Sequence, residues 1–321
     1  MTALLDCKNL EVRFRTEHGD VRAVNDLSFQ LEAGECLGIV GESGSGKSQS
    51  MLAMLGLLAD NGHADGAVSY RGRDILNLPR RELDKLRGDR LAMVFQDALS
   101  GLTPTMRIGE QLAESLIRHR GLGRAAAKAK VLEMLEIVKI PAPDARYRAY
   151  PFELSGGMRQ RVMIAMAMLC QPEVLICDEP TTALDVTVQA QILRLLDGLK
   201  RHTGTAVILI THDLGVMAGL CDRVLIMYAG RAVEMGNTAD IYSAPQHPYT
   251  AGLLRSIPTL TGDPKLDLPT IPGQPPNLEH LGPGCAFADR CKHTFGPCTE
   301  QAPELASVGT AHIAACHRVN R

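Results

Sequence analysis

The chain has 321 residues, enough for one large domain with a smaller companion or for two ordinary domains. Apolar residues make up 45% and charged residues 22%, a globular composition that excludes a disordered chain. The net charge of −2, with no long basic run, leaves no electrostatic footprint for nucleic acid, and none is expected as a partner.

In chain order, MTALLDCKNL lacks the basic start and apolar stretch of an export signal. LEVRF and AVNDLSFQL alternate loosely and carry β-branched or aromatic residues, which predicts strands. ECLGIV reads as an apolar strand running into GESGSGKS, with SMLAMLGLLA helical after it. From about Asp97 to Ile140 the spacing is mostly helical, most clearly in AAAKAKVLEMLEIV. The longest apolar run, VMIAMAMLC (Val162–Cys170), is about half the ~20 residues of a bilayer span, so any membrane role is expected to come through a partner. VLIC and AVILI are short apolar strands ending at polar residues, and VLIMY, AG, RAVEMG reads as a hairpin. Strands alternating with helices predict an α/β core around a parallel sheet. Seven prolines and four glycines between Ser256 and Gly284 predict an extended linker.

GESGSGKS (Gly41, Glu42, Ser43, Gly44, Ser45, Gly46, Lys47, Ser48) fits G-x-x-x-x-G-K-[ST] in its required place between strand and helix. Glycines let successive backbone N–H groups turn inward around an anion, and the helix presents its positive end. Lys47 is expected to reach the β- and γ-phosphates of a bound nucleotide, and Ser48 to ligate Mg²⁺. VLICDEP delivers Asp178 to hold that Mg²⁺ and Glu179 to polarise the attacking water. AVILI ends at ITHD, which brings His212 to a second strand end suited to the γ-phosphate. LSGGMRQR adds a small-residue turn before another helix, an anion site without a lysine of its own, suited to a partner's nucleotide.

These motifs together resemble the nucleotide-binding subunits of ATP-binding cassette transporters over about residues 4–250. The resemblance implies a P-loop cassette with a parallel core, an antiparallel β subdomain and a helical signature subdomain at about 97–165. Position by position, Gly41–Ser48 match the Walker A loop and Gln96 the Q-loop glutamine, a further Mg²⁺ ligand. Ser155, Gly156 and Gly157 match the signature, Asp178 and Glu179 the Walker B pair, Ala183, Leu184 and Asp185 the D-loop, and His212 the switch histidine. It also implies an ATPase, active as two cassettes closing face to face on ATP and driving two transmembrane permease subunits. Phe14 and His18 are the candidates for stacking on adenine. The Q-loop neighbourhood, DALSGLTP, departs slightly from the family's habit at its permease-facing contact.

The last 37 residues hold Cys285, Cys291, Cys298 and Cys316 at spacing C-x5-C-x6-C-x17-C. The other cysteines, Cys7, Cys36, Cys170, Cys177 and Cys221, sit singly in or near apolar stretches as small core residues. A segment this short and poor in aliphatics needs a staple, and in a reducing compartment a metal serves better than a disulfide. Four thiolates suit either Zn²⁺ or a [4Fe–4S] cluster, and His293, His312 and His317 leave a Cys₃His zinc site open. HPYT followed by the Pro-rich stretch and this tail resembles the C-terminal extension of oligopeptide and dipeptide importer ATPases, which favours the cluster. That resemblance implies a cassette over 4–255, a linker over 256–284 and a small, irregular, metal-stapled cysteine-rich module over 285–321. It further implies peptide import at the cytoplasmic face of the inner membrane, a second ATPase chain that is related but different, and an exported peptide-binding protein. Nickel or glutathione is the alternative cargo. A soluble cassette ATPase acting on DNA or ribosomes is disfavoured by the single cassette, the absence of a heptad run and the slight acidity. A regulator that binds nucleotide without turnover is disfavoured by Glu179 and His212.

Overall fold

The structure, a computed structural model, describes residues 3–17, 19–97, 101–182, 184–257 and 269–319. In chain order the elements are β1 (Leu5–Thr16), β2 (Gly19–Leu31), β3 (Cys36–Val40), α1 (Lys47–Met54), β4 (Gly62–Tyr70), β5 (Arg73–Asp74), α2 (Arg80–Leu86) and β6 (Leu91–Val94). Next come α3 (Ile108–Arg120), α4 (Arg124–Ile137), α5 (Pro143–Tyr147), α6 (Gly156–Met168), β7 (Val174–Asp178), α7 (Val186–Thr203), β8 (Ala206–Thr211) and α8 (Leu214–Met217). The chain ends with β9 (Arg223–Tyr228), β10 (Arg231–Asn237), α9 (Thr238–Ser243), α10 (Pro248–Arg255), α11 (Gly296–Glu300), β11 (Ala306–Gly309) and β12 (His312–Ala314). These elements form two compact units, one from Met1–Leu31, Cys36–Asn77 and Thr211–Arg321, the other from Glu32–Glu35 and Leu78–Ile210.

The first unit contains an antiparallel sheet in the order β2-β1-β4-β5, with Leu5 opposite both Leu31 and Tyr70. Its other strands run β11-β12-β10-β9-β3. β3 is buried at all five positions and lies parallel to β9, whose hairpin with β10 turns through Ala229 and Gly230. Both turn residues have positive φ, 48° and 79°, the mirror-image turn that matches strand twist. The cysteine-bearing end was expected to be irregular, yet it adds β12 to the edge of β10 and β11 outside it. The register places Glu234 opposite Ala314, and the fully buried Glu234 carboxylate accepts from His312 Nε2 at 2.8 Å. It also accepts from the backbone N–H groups of Gln246 (2.7 Å) and His247 (2.9 Å), so a buried charge is met by three donors.

The second unit is built on the parallel strands β6, β7 and β8, with Val174 paired to Leu91 on one side and Ala206 on the other. β7 and β8 are buried at every position, as expected of parallel strands covered on both faces. α3 buries Ile108, Leu112 and Leu116, and α4 buries Ala127, Val131 and Leu135, one helical face each. α7 buries Ile192, Leu196 and Leu199 in the same way. The helix read over SMLAMLGLLA is shorter than its apolar run: α1 stops at Met54, and Gly56 follows with φ of 59°.

Candidate functional site

β3 leads into the loop Gly41–Gly46, and α1 starts at Lys47. Gly46 caps that helix with φ of 95°, where a side chain would be strained and would collide with the carbonyl oxygen of Ala23. Lys47 is only 5% exposed, and its ammonium donates to the carbonyl oxygens of Gly41 (2.7 Å) and Glu42 (2.9 Å). It is thus held inside the loop it is expected to serve. Ser45 N donates to Glu42 O at 3.2 Å, and Ser45 O accepts from Gly230 N at 3.1 Å, which ties the loop to the β9–β10 turn.

The loop has partners from far along the chain that spacing did not reveal. Glu42 N donates to Tyr249 Oη at 2.9 Å, and the Glu42 carboxylate takes both arms of the Arg290 guanidinium, at 2.7 and 3.0 Å. Tyr249 lies in the HPYT stretch, where His247 N-caps α10 by accepting from Tyr249 N at 3.1 Å. Burial pushes His247 down to about 4, which keeps the ring neutral and able to accept. His212 follows β8 on the surface, and Asp213 N-caps α8.

In the second unit β7 ends at Asp178, 5% exposed, and Glu179 follows in the left-handed region with φ of 45°. A non-glycine residue there is held against a cost of about 1–3 kcal/mol, a form of strain that clusters at working sites. Glu179 N donates to Ile210 O at 2.9 Å, and one carboxylate oxygen accepts from Gln96 Nε2 (3.0 Å) and Thr182 Oγ1 (2.8 Å). Thr182 was missed, although its place three residues after Glu179 in DEPTT was visible.

Ser155 N-caps α6, accepting from Met158 N at 3.4 Å, and Ser155 and Gly156 are exposed. At Gly157 a Cβ would stand 2.8 Å from Val188 Cγ1, so close packing against α7 requires glycine there. Gly156 has ordinary space, with Leu184 3.8 Å away, so its missing side chain leaves the backbone open to an outside group. Asp185 N-caps α7 through Val188 N at 2.9 Å. Phe14 lies opposite Val21, its ring against Gly62. His18, Ala183 and residues 98–100 beside Gln96 lie outside the described residues.

Cys285, Cys291, Cys298 and Cys316 line one small cavity of about 20 Å³, with His247, Phe287, His293 and His317 around it. Cys285 N donates to Cys298 O at 2.8 Å. Burial, joined by the neighbouring thiols, pushes Cys285 up to about 11. Among the described residues no three His, Cys, Asp or Glu side chains are grouped so as to hold a metal ion. The four cysteines line this one cavity, while the metal staple itself is not shown.

The ABC transporter family matches residues 24–182, and the oligopeptide/dipeptide transporter C-terminal region matches residues 233–298. The oligopeptide transport ATP-binding protein OppD of Salmonella typhimurium is 54% identical over 315 residues, covering 98% of this chain and 93% of that protein. The chain belongs to the ATP-binding cassette transporter ATPases. This cassette is also 46% identical to the dipeptide transport ATP-binding protein DppD of Bacillus subtilis, over 98% of the chain and 95% of the relative. A dimeric post-hydrolysis structure of the cassette MJ0796, bound to ADP and Pi, superposes with a TM-score of 0.66 at 28% identity. It covers 73% of this chain and 98% of that one. The cassette is accordingly a P-loop ATPase with mixed α/β sheets, and ATP with Mg²⁺ is what such an ATPase uses.

Proposed function

We propose that the chain is the ATP-hydrolysing subunit powering import of di- and oligopeptides through partner permease subunits. The observation that carries this reading is the 54% identity with an oligopeptide transport ATPase along 98% of the chain, cysteine-bearing end included. Nothing comparable favours nickel or glutathione as cargo.

Lys47 neutralises the β- and γ-phosphates, while the N–H groups of the loop and of α1 surround them. Ser48, Gln96 and Asp178 are hard oxygen ligands suited to Mg²⁺. Bound Mg²⁺ supplies charge neutralisation on the phosphate oxygens. Gln96 donates to Glu179 through its amide nitrogen, which keeps the amide oxygen as its ligating end. Glu179 orients and polarises the attacking water, and His212 donates toward the γ-phosphate. Ser155 and Gly156, exposed at the start of α6, together with Gly157 take the ATP bound by a second cassette, and Asp185 completes that face. ATP closes the pair because it binds the closed state better, and the permeases follow that change. The second cassette is a related but different chain, and cargo arrives from an exported binding protein through the two permeases.

Among the described residues no helix is long and apolar enough to cross a membrane. In this reading the permeases hold the chain at the cytoplasmic face of the inner membrane. The cassette spans 4–255, a Pro-rich connection 256–284 and a cysteine-bearing module 285–321. Within that module Cys285, Cys291, Cys298 and Cys316 bind a [4Fe–4S] cluster, with Zn²⁺ as the alternative. Four thiols around one cavity support this, since burial opposes the ionisation of Cys285 and Cys316 until a cationic centre holds them as thiolates.

The test of the function is ATP-dependent uptake of labelled peptides by proteoliposomes holding this chain, its partner cassette and the permeases. Uptake lost in the Lys47→Ala protein and present in wild type supports it; no uptake with any peptide refutes it. The cysteine assignment is tested on protein purified without oxygen, which is expected to carry about four iron and four acid-labile sulfide per chain. Cys291→Ser should lose them and expose the tail to protease while the cassette stays resistant. Equal cleavage of the tail in both proteins would refute the staple.

A further inference from the structure

The phosphate loop carries a carboxylate of its own. Glu42 is its second residue, and an unmatched negative charge there would oppose the several negative charges of a nucleoside triphosphate. Arg290 meets that charge with two parallel hydrogen bonds, at 2.7 and 3.0 Å, the geometry in which a guanidinium matches a carboxylate best. The Arg290 side chain is 6% exposed and that of Glu42 is 24% exposed, so salt and water screen the pair far less than a surface pair.

The guanidinium is fixed from every side. It donates to Tyr228 Oη at 3.2 Å, to Pro272 O at 2.9 Å and to Ile271 O at 3.4 Å, and it lies over the rings of Tyr228 and Phe287. Those rings pack with Tyr249, whose hydroxyl accepts from the Glu42 amide. Arg290 closes the short 3₁₀ turn Ala288–Arg290 between Cys285 and Cys291. Arg290 N is bonded to Phe287 O, and Cys291 N to Ala288 O. The backbone that brings the cysteines together therefore also aims the guanidinium at the phosphate loop.

We propose that Arg290 is a positioning residue that sets the ATP affinity of the phosphate loop by neutralising and holding Glu42, so that nucleotide binding depends on an intact cysteine module. This rests on the reading of Gly41–Ser48 as the ATP loop. The experiment is equilibrium binding of a fluorescent ATP analogue with Mg²⁺ to the full-length wild type, Arg290→Met, Arg290→Lys and the double variant Arg290→Met with Glu42→Gln, at low and high salt. Arg290→Met is expected to weaken binding about tenfold or more, with the loss shrinking at high salt. The double variant should recover most of that affinity, because the uncompensated charge is gone. Arg290→Lys keeps the charge but loses the bidentate fork, and should fall between wild type and Arg290→Met. Equal binding by wild type and Arg290→Met would overturn the inference. So would a double variant as weak as the single one, since a purely structural arginine is not rescued at Glu42. If Arg290→Met does not fold, Arg290→Gln with and without Glu42→Gln takes its place, where rescue by Glu42→Gln supports the inference and no rescue overturns it. A wild type that binds no ATP would instead overturn the functional reading beneath it.

Discussion

Glu179→Gln is expected to bind ATP normally and to lower its hydrolysis by about 10²–10⁴-fold, the usual contribution of a positioned base. The substitution is nearly isosteric. The left-handed backbone at φ 45° and the bond from Glu179 N to Ile210 O are independent of side-chain charge, so the loop keeps its place. Thr182 Oγ1 can still donate to the remaining amide oxygen, whereas polarising water requires the carboxylate. Phosphate release measured beside elution volume in ATP gives the check: the variant should hydrolyse little and accumulate as the closed pair. Wild-type turnover would refute the assignment of Glu179.

Lys47→Ala is expected to remove nucleotide binding rather than slow catalysis. Two charge-assisted hydrogen bonds to phosphate at about 1.5–3 kcal/mol each amount to an affinity loss of roughly 100-fold or more. The fold should survive. The ammonium is buried against the Gly41 and Glu42 carbonyls, and its removal takes a charge out of the interior while water can reach the vacated loop. Nucleotide titration combined with a thermal melt separates the two effects. Unchanged affinity would refute the role of Lys47, and a collapsed melting transition would reassign it to structure.

Much of the architecture was legible because the local signals agreed with one another. β3, β7 and β8 announce themselves as uniformly apolar runs, and the AG between β9 and β10 marks a turn. α7 went unread although Ile192, Leu196 and Leu199 recur at helical spacing, because β-branched Val186, Thr187 and Val188 at its start resemble a strand. β4 was hidden for the opposite reason: in GHADGAVSY only Val68 and Tyr70 are buried, too few to show a period. β11 and β12 are so short and polar that only the edge of β10 makes them strands. The motif residues could be named from spacing, since each motif is local. Tyr249 and Arg290 could not be joined to Glu42 in that way. Those contacts span 207 and 248 positions and depend on how strands from both ends of the chain are brought together.

That separation also sets an order in time. A ribosome makes the phosphate loop early and Arg290 248 residues later, a delay of about 12–50 s at 5–20 residues per second. Throughout that interval Glu42 stands uncompensated, whereas Glu234 waits only 78 residues for His312. A nascent chain therefore meets cellular ATP with its loop charge unmasked, and nucleotide capture is deferred until Arg290 has been made. The same order makes a chain broken off before Arg290 a poor competitor for nucleotide, so an unfinished copy cannot take a working cassette's place.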